Sequence, residues 1–407
     1  MQTLVRVLLE EEWARFLRYA SWMTELKPLN GVIICDEVFQ QLSAVTSVSV
    51  VCPQLRRLTW TSSYGWEPMQ RFLSPHLESV VFLGDYWSGP DPALIPTISL
   101  LPTTHLQELT LKIPTPHTPI HSVLSEVIQR LGPRFKSLAT WSSLSEAGWT
   151  HLASLPQLEW LRVSDVPRTE ILKLVPHQHA FSALQCIEIR VDSVHQRLSL
   201  LFSLLKSSLL QEVTFTMGCR IQGADVPSQI ITPMLEAELQ RSINSLTFYG
   251  SESSDLVFLS HIGRFSSLKT LKCITTCLQT QCVFPLTDSD IEQLASELPQ
   301  LMTVCLGHEC VHIRLNTTIK SLISFSTRCP SLQTLSFPCD LTNISEDIKT
   351  DSGVPDPRLE ISSPCKLQFL DLDMVVMPPP VDIEASRIVA SALEHLFPCF
   401  TRERNWD

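Results

Sequence analysis

The sequence predicts an α/β solenoid, a horseshoe with parallel strands on its concave face and helices on its convex face. Three observations predict it. First, residues 286–338 write one pattern twice. Thr287-Asp288-Ser289-Asp290 opens a helical run to Leu298, Pro299 breaks it, and Leu301-x-x-Val304-x-Leu306 follows. Thr317-Thr318, the run Ile319 to Phe325, the break Cys329-Pro330 and Leu332-x-x-Leu335-x-Phe337 repeat it. Second, the closing L-x-x-L-x-L signature recurs roughly twelve times in series, the mark of a repeat architecture. Third, helical runs separate most of the copies. Such a strand-and-helix unit cannot bury its apolar side alone, so the units must stack.

Taken in order, Glu10 to Tyr19 reads as a helix with Trp13, Phe16 and Leu17 on one face, leading into a degenerate strand, Met23-x-x-Leu26. Asp36 is a plausible N-cap for Glu37 to Ala44. The strand signature then runs through Leu55-x-x-Leu58-x-Trp60, Leu77-x-x-Val80-x-Phe82 and Leu106-x-x-Leu109-x-Leu111. Phe135-x-x-Leu138 lacks a clear apolar third member. The series resumes at Leu158, Leu184, Leu210, Ile243, Leu268, Leu301, Leu332 and Leu367. Intervals range from 22 residues (55 to 77) to 35 (332 to 367). Several lie in the span of about 20–29 residues typical of leucine-rich repeats.

Helices are expected over Ile120 to Leu131, Ser145 to Leu155 and Leu198 to Leu205, from apolar residues at three-and-four spacing. Irregular inserts are expected at Trp87 to Pro92, Pro114 to Pro119, Gly218 to Pro233 and Asn343 to Pro364, the last a mobile surface loop. The domain reading is therefore an N-terminal helical cap with a degenerate first repeat (1–50) and a repeat array (51–377) with its loop at about 342–364. A C-terminal capping helix and tail (378–407) follow Pro378-Pro379-Pro380, with Ile383 to Leu396 covering the open end of the core.

Composition narrows the function classes. Of 407 residues 44% are hydrophobic, so the chain folds, and 12 Gly against 28 Pro favour tight connections. A net charge of -11 argues against a nucleic-acid binder. The 13 cysteines show no paired framework and read as reduced core thiols, which places the chain inside the cell, in cytoplasm or nucleus. Leu4 to Leu9 runs into Glu10-Glu11-Glu12 without a cleavage site, and Ser and Lys break the densest apolar run, so neither a secretory leader nor a membrane span is expected. The chain is expected to be a monomer.

Chemistry is sparse. No phosphate-cradling Gly loop, G-x-S-x-G elbow or H-E-x-x-H occurs. Cys273, Cys277 and Cys282, with His308, Cys310 and His312 a repeat later, lack the close-spaced pairs of a zinc site. Cys186 and Cys305 lack a spaced histidine and an orienting group for nucleophilic catalysis. Asp371 and Asp373 alternate on one strand and read as a solvated face. No catalytic residue, metal or cofactor is expected.

Recognition remains. Period-two alternation turns the apolar strand residues inward and the intervening ones toward the concave face. That face is expected to carry Arg57, Thr59, Glu108, Thr110 and Lys112, and the partner-binding set Trp160, Arg162, Glu188, Arg190, Thr214, Thr216, Tyr249, Lys272, Phe369, Asp371 and Asp373. Trp160 with Arg162 and Arg190 is the expected hot spot, since Trp and Arg dominate measured ones.

Three groups of residues carry a family resemblance. They are Glu10-Glu11-Glu12-Trp13-Ala14-Arg15-Phe16 leading into Tyr19-Ala20, the pair Cys52-Pro53-x-Leu55 and Cys329-Pro330-x-Leu332, and residues 286–338 as a whole. Together they make the chain resemble the leucine-rich-repeat region of fungal F-box proteins. The resemblance implies a non-enzymatic substrate receptor of an SCF ubiquitin ligase. In such proteins an N-terminal F-box docks on the ligase adaptor and the repeats present a protein substrate. Only nine residues precede Glu10, so no F-box is expected within this chain. An SCF adaptor is then a partner only if an F-box lies upstream; the alternative is a ligase-independent adaptor or a truncated product.

Overall fold

The proline breaks are β-turns. Cys52 C=O accepts from Leu55 N–H at 3.1 Å, Ser74 from Leu77 at 3.2 Å, and Gly132 from Phe135 at 3.1 Å. Leu298 accepts from Leu301 at 3.2 Å and Cys329 from Leu332 at 3.1 Å. Each turn has proline second (Pro53, Pro75, Pro133, Pro299, Pro330), where its fixed φ fits and its missing N–H costs nothing.

The computed structural model describes residues 9–27, 50–84, 92–113, 119–164, 180–191, 197–205, 209–217, 226–250, 259–275, 282–308, 313–341, 365–371, 375–376, 393 and 396–397. They fall into two compact units, one running to Ile189 and the other from Leu210 on, with the segment between shared out between them.

The first unit opens with helix α1 (Glu10–Ala20), whose buried Trp13 and Ala20 face the core. Strands β1 (Glu25–Leu26), β2 (Arg57–Thr61) and β3 (Ser79–Leu83) follow, then α2 (Leu94–Ser99), β4 (Glu108–Lys112), α3 (Pro119–Gln129), β5 (Ser137–Thr140), α4 (Glu146–Ser154), β6 (Trp160–Val163) and β7 (Cys186–Val191). These strands pair in parallel in chain order. Parallel order with helical crossovers leaves one face of the sheet for the helices to cover. Leu58, Val80, Leu109, Leu138, Leu161 and Ile187 are all buried on that face. The missing third member after Phe135 and Leu138 is Thr140, fully buried, its hydroxyl accepting from Ser142 N–H at 3.0 Å.

After α5 (Arg197–Leu205), the second unit has β8 (Glu212–Met217), α6 (Val226–Glu236), β9 (Ser245–Tyr249), α7 (Leu259–Ile262), β10 (Thr270–Thr275), β11 (Cys282–Thr287), α8 (Asp288–Glu297), β12 (Thr303–His308), β13 (Ile313–Asn316), α9 (Ile319–Arg328), β14 (Thr334–Ser336), β15 (Cys339–Asp340), β16 (Phe369–Asp371) and β17 (Val375–Val376). Strands β8, β9, β10, β12, β14 and β16 form its parallel sheet. Beyond the expected helices, β11 with β13 and β15 with β17 make two small parallel pairs.

One expectation is corrected. Residues 218–233 are not irregular throughout, because α6 begins at Val226 and carries Pro233 inside it. The lost backbone bond is offset by burial of Ile230, Ile231 and Met234, and the helix recovers when Ala237 N–H reaches Pro233 C=O at 3.0 Å. The Glu37–Ala44 helix, the 342–364 loop and most of Ile383–Leu396 lie outside the described residues; Leu396 and Phe397 are buried.

Within each unit, the strand heads of the main sheet are locked to their predecessors through one carbonyl that accepts two N–H groups. Arg56 C=O takes Glu78 N–H at 2.8 Å and Ser79 N–H at 3.0 Å, and Gln107 C=O takes those of Lys136 and Ser137 at 2.8 and 3.0 Å. In the second unit Lys269 C=O takes Met302 and Thr303 at 2.8 and 3.0 Å, and Met302 C=O takes Gln333 and Thr334 at the same distances.

Neighbouring helices are tied as well. Asp288, the first residue of α8, accepts at Oδ1 from Thr318 N–H (2.8 Å) and the Ser321 hydroxyl (2.5 Å), and at Oδ2 from the Thr318 hydroxyl (2.7 Å). It thereby caps α9, the next helix, alongside that helix's own N-cap Thr318.

The seven cysteines whose side chains are described are free thiols, five of them buried. Burial pushes Cys273 and Cys329 up to about 12 from an ordinary 9.0. The folded state therefore holds protons that the unfolded chain begins to release near pH 9. Stability is full below that pH and falls toward pH 12. We expect the denaturant midpoint to drop more between pH 8 and 10.5 in the native chain than in a Cys273→Ala, Cys329→Ala variant. Equal drops would remove the thiols from the account.

Candidate functional site

Strand register arranges the outward residues in rows. In the first unit one row runs Glu25, Arg57, Ser79, Glu108, Ser137, Trp160, Cys186, and the next runs Thr59, Val81, Thr110, Ala139, Arg162, Glu188. Trp160 is half-buried and stands between two small residues, Ser137 and Cys186. Arg162 has Ala139 on one side and Glu188 on the other. Its guanidinium meets the Glu188 carboxylate at 2.9 Å, with the two side chains 29% and 18% exposed. Partial burial makes this pair less screened than a fully exposed one. Ala139 points outward by alternation yet is only 2% exposed. Small residues, Ser137, Ala139 and Cys186, thus flank the indole and the ion pair in register. Arg190 is exposed two residues beyond Glu188 on the same strand.

At the other end of these rows, Arg57 donates to Glu25 at 2.7 Å. That bond, followed by the attraction of the two charges, holds the Glu25 carboxyl below the usual carboxylate range. A rim row, at the first variable position of each signature, escaped the sequence reading. Arg56 meets Glu78 at 3.2 Å, Lys136 meets Glu159 at 3.7 Å, and in the second unit Asn244 Nδ2 donates to Gln211 Oε1 at 3.2 Å. Opposite charges at the same position of successive copies were the available signal.

In the second unit, Thr214, Thr247, Lys272, Cys305, Ser336 and Asp371 share one row, and Glu212, Ser245, Thr270, Thr303, Thr334 and Phe369 the next. Thr216 is in register with Tyr249. Phe369 is 56% and Tyr249 37% exposed. Asp373 lies outside the described residues, as do Cys277, Cys310 and His312. Cys273 points into the core at 2% exposure, while Cys186 and Cys305 are half-buried on the outward face. Among the described residues no group of three or more His, Cys, Asp or Glu could hold a metal ion. No described helix is long and apolar enough to cross a membrane.

The fold assignment rests on this register: parallel strands in chain order, helices between them, and L-x-x-L-x-L residues inward. It is a leucine-rich-repeat fold. No protein-family model matches the sequence, and no curated protein does. Among solved structures the chain is similar to the leucine-rich repeat-containing protein LegL7 from Legionella pneumophila, at 13% identity and a TM-score of 0.40, over 84% of this chain and 97% of that one.

Proposed function

We propose that the chain is a non-enzymatic protein-interaction scaffold whose outward sheet face receives a protein partner. The observation that carries this is Trp160 and the Arg162–Glu188 pair, flanked in register by small residues on a rigid parallel sheet. Indole and guanidinium groups on a preorganised surface supply binding energy with little ordering cost. The free thiols fit an intracellular setting. The finer reading, a substrate receptor resembling those of SCF ubiquitin ligases, draws on the sequence resemblance. A ligase-independent adaptor is the second reading.

Trp160→Ala and Arg162→Ala are each expected to weaken binding of the partner about tenfold, the loss of a moderate hot spot. Quantitative capture from native extract by the wild-type chain and both variants would show it, with unchanged denaturation midpoints certifying the fold. A partner retained equally by both variants would refute this face. An SCF adaptor among the retained proteins would favour the ligase reading, and substrate without adaptor the second.

A further inference from the structure

The second unit's sheet face differs in charge from the first. Lys272 is half-buried on β10, between Thr247 and Cys305 in register. Among the described residues its side chain makes no ion pair or hydrogen bond, in contrast to those of Arg57 and Arg162 in the first unit. The side chain of Lys269, on the rim at the head of the same strand, likewise makes no ion pair or hydrogen bond. None of the outward positions of β9, β10, β12 and β14 is Asp or Glu; most are Ser or Thr.

Among the described residues, the outward carboxylate positions of this sheet, Glu212 on β8 and Asp371 on β16, lie two and three strands from β10. At about 4.8 Å per strand that is roughly 10 Å or more. Such a distance equals or exceeds the screening length of about 8 Å at physiological salt. A lysine flanked in register by a hydroxyl and a thiol, Thr247 and Cys305, with no carboxylate at the outward positions of its own or the adjoining strands, has a cation that its neighbours do not neutralise. The same screening confines the repulsion expected from the chain's net charge of -11, so local complementarity decides at contact.

We propose that this face binds an acidic segment of a protein partner, its Asp or Glu carboxylates meeting Lys272 and Lys269. This deepens the scaffold reading and rests on it. The test uses the full chain and three fluorescent peptides of one Gly-Ser framework carrying Glu, Gln or Lys at the same positions, read by anisotropy at low and high salt. The Glu peptide is expected to bind at least about fivefold more tightly than the Gln peptide, with the difference lost at high salt. Lys272→Gln should remove most of that preference and Lys269→Gln with Lys272→Gln all of it. Lys136→Gln, which breaks a pair in the first unit, should leave it intact. Equal binding of Glu and Gln peptides, tighter binding of the Lys peptide, or a preference that survives the double variant would overturn the proposal. Because the peptides report on the Lys272 and Lys269 face, failure here is separable from failure of the Trp160 face, which the extract captures report.

Discussion

Phe215→Ala is expected to lower the unfolding free energy of the second unit by about 3–5 kcal/mol, the usual cost of emptying a buried aromatic site. Phe215 is fully buried, stacked on Phe248 at 5.4 Å and 18°, and meets Phe202 edge-on at 6.2 Å. It is the middle ring of three, so truncation severs both ring contacts and leaves a void between them. Phe215→Leu keeps most of the volume and should cost less, about 1.5 kcal/mol or under. Denaturant unfolding compared across the two variants decides the matter. A loss below about 1 kcal/mol for alanine would mean that the site collapses and the rings are not packed as described.

Asp288→Ala should cost about 1–3 kcal/mol, because the Thr318 N–H and hydroxyl and the Ser321 hydroxyl lose their common acceptor in a part-buried place. Asn at the same position offers one acceptor oxygen in place of two, so it should recover only part of the loss. Hydrogen exchange at the first turn of α9 is the local readout. Protection there should fall in the alanine variant and remain at α8, which keeps its own capping box between Thr287 and Asp290. Uniform loss across both helices would point to a global effect.

The inward half of this fold could be read almost directly. Leu301, Val304 and Leu306, then Leu332, Leu335 and Phe337, are all buried, and Thr287 and Thr318 are the N-caps their positions suggested. Hydrophobic spacing reports burial, and burial is what the repeat repeats. Elements that break local rules were hidden. Pro233 inside α6 argues against helix by propensity, and tertiary burial overrides it. Strand β11 has Pro285 inside it and runs straight into the cap of α8, so no strand signature marks it in the sequence. Of the candidate surface, alternation placed Trp160, Arg162 and Glu188 on one face, but their meeting depends on pairing residue 162 with 188. The isolation of Lys272 is likewise a property of four strands in register, which no single stretch of sequence displays.

The doubly accepting carbonyls at the strand heads carry a consequence for how such a chain can change. Within each unit they fix the starting point of each main-sheet strand against its predecessor, whatever lies between. Within each unit an outward side chain therefore keeps its address while the connecting chain lengthens or shortens: 22 residues separate Leu55 from Leu77 and 35 separate Leu332 from Leu367, yet the pairing is of one kind at both. Insertions can accumulate in the connections without scrambling the recognition surface, whereas one residue added within a strand head would turn that strand's binding residues into the core.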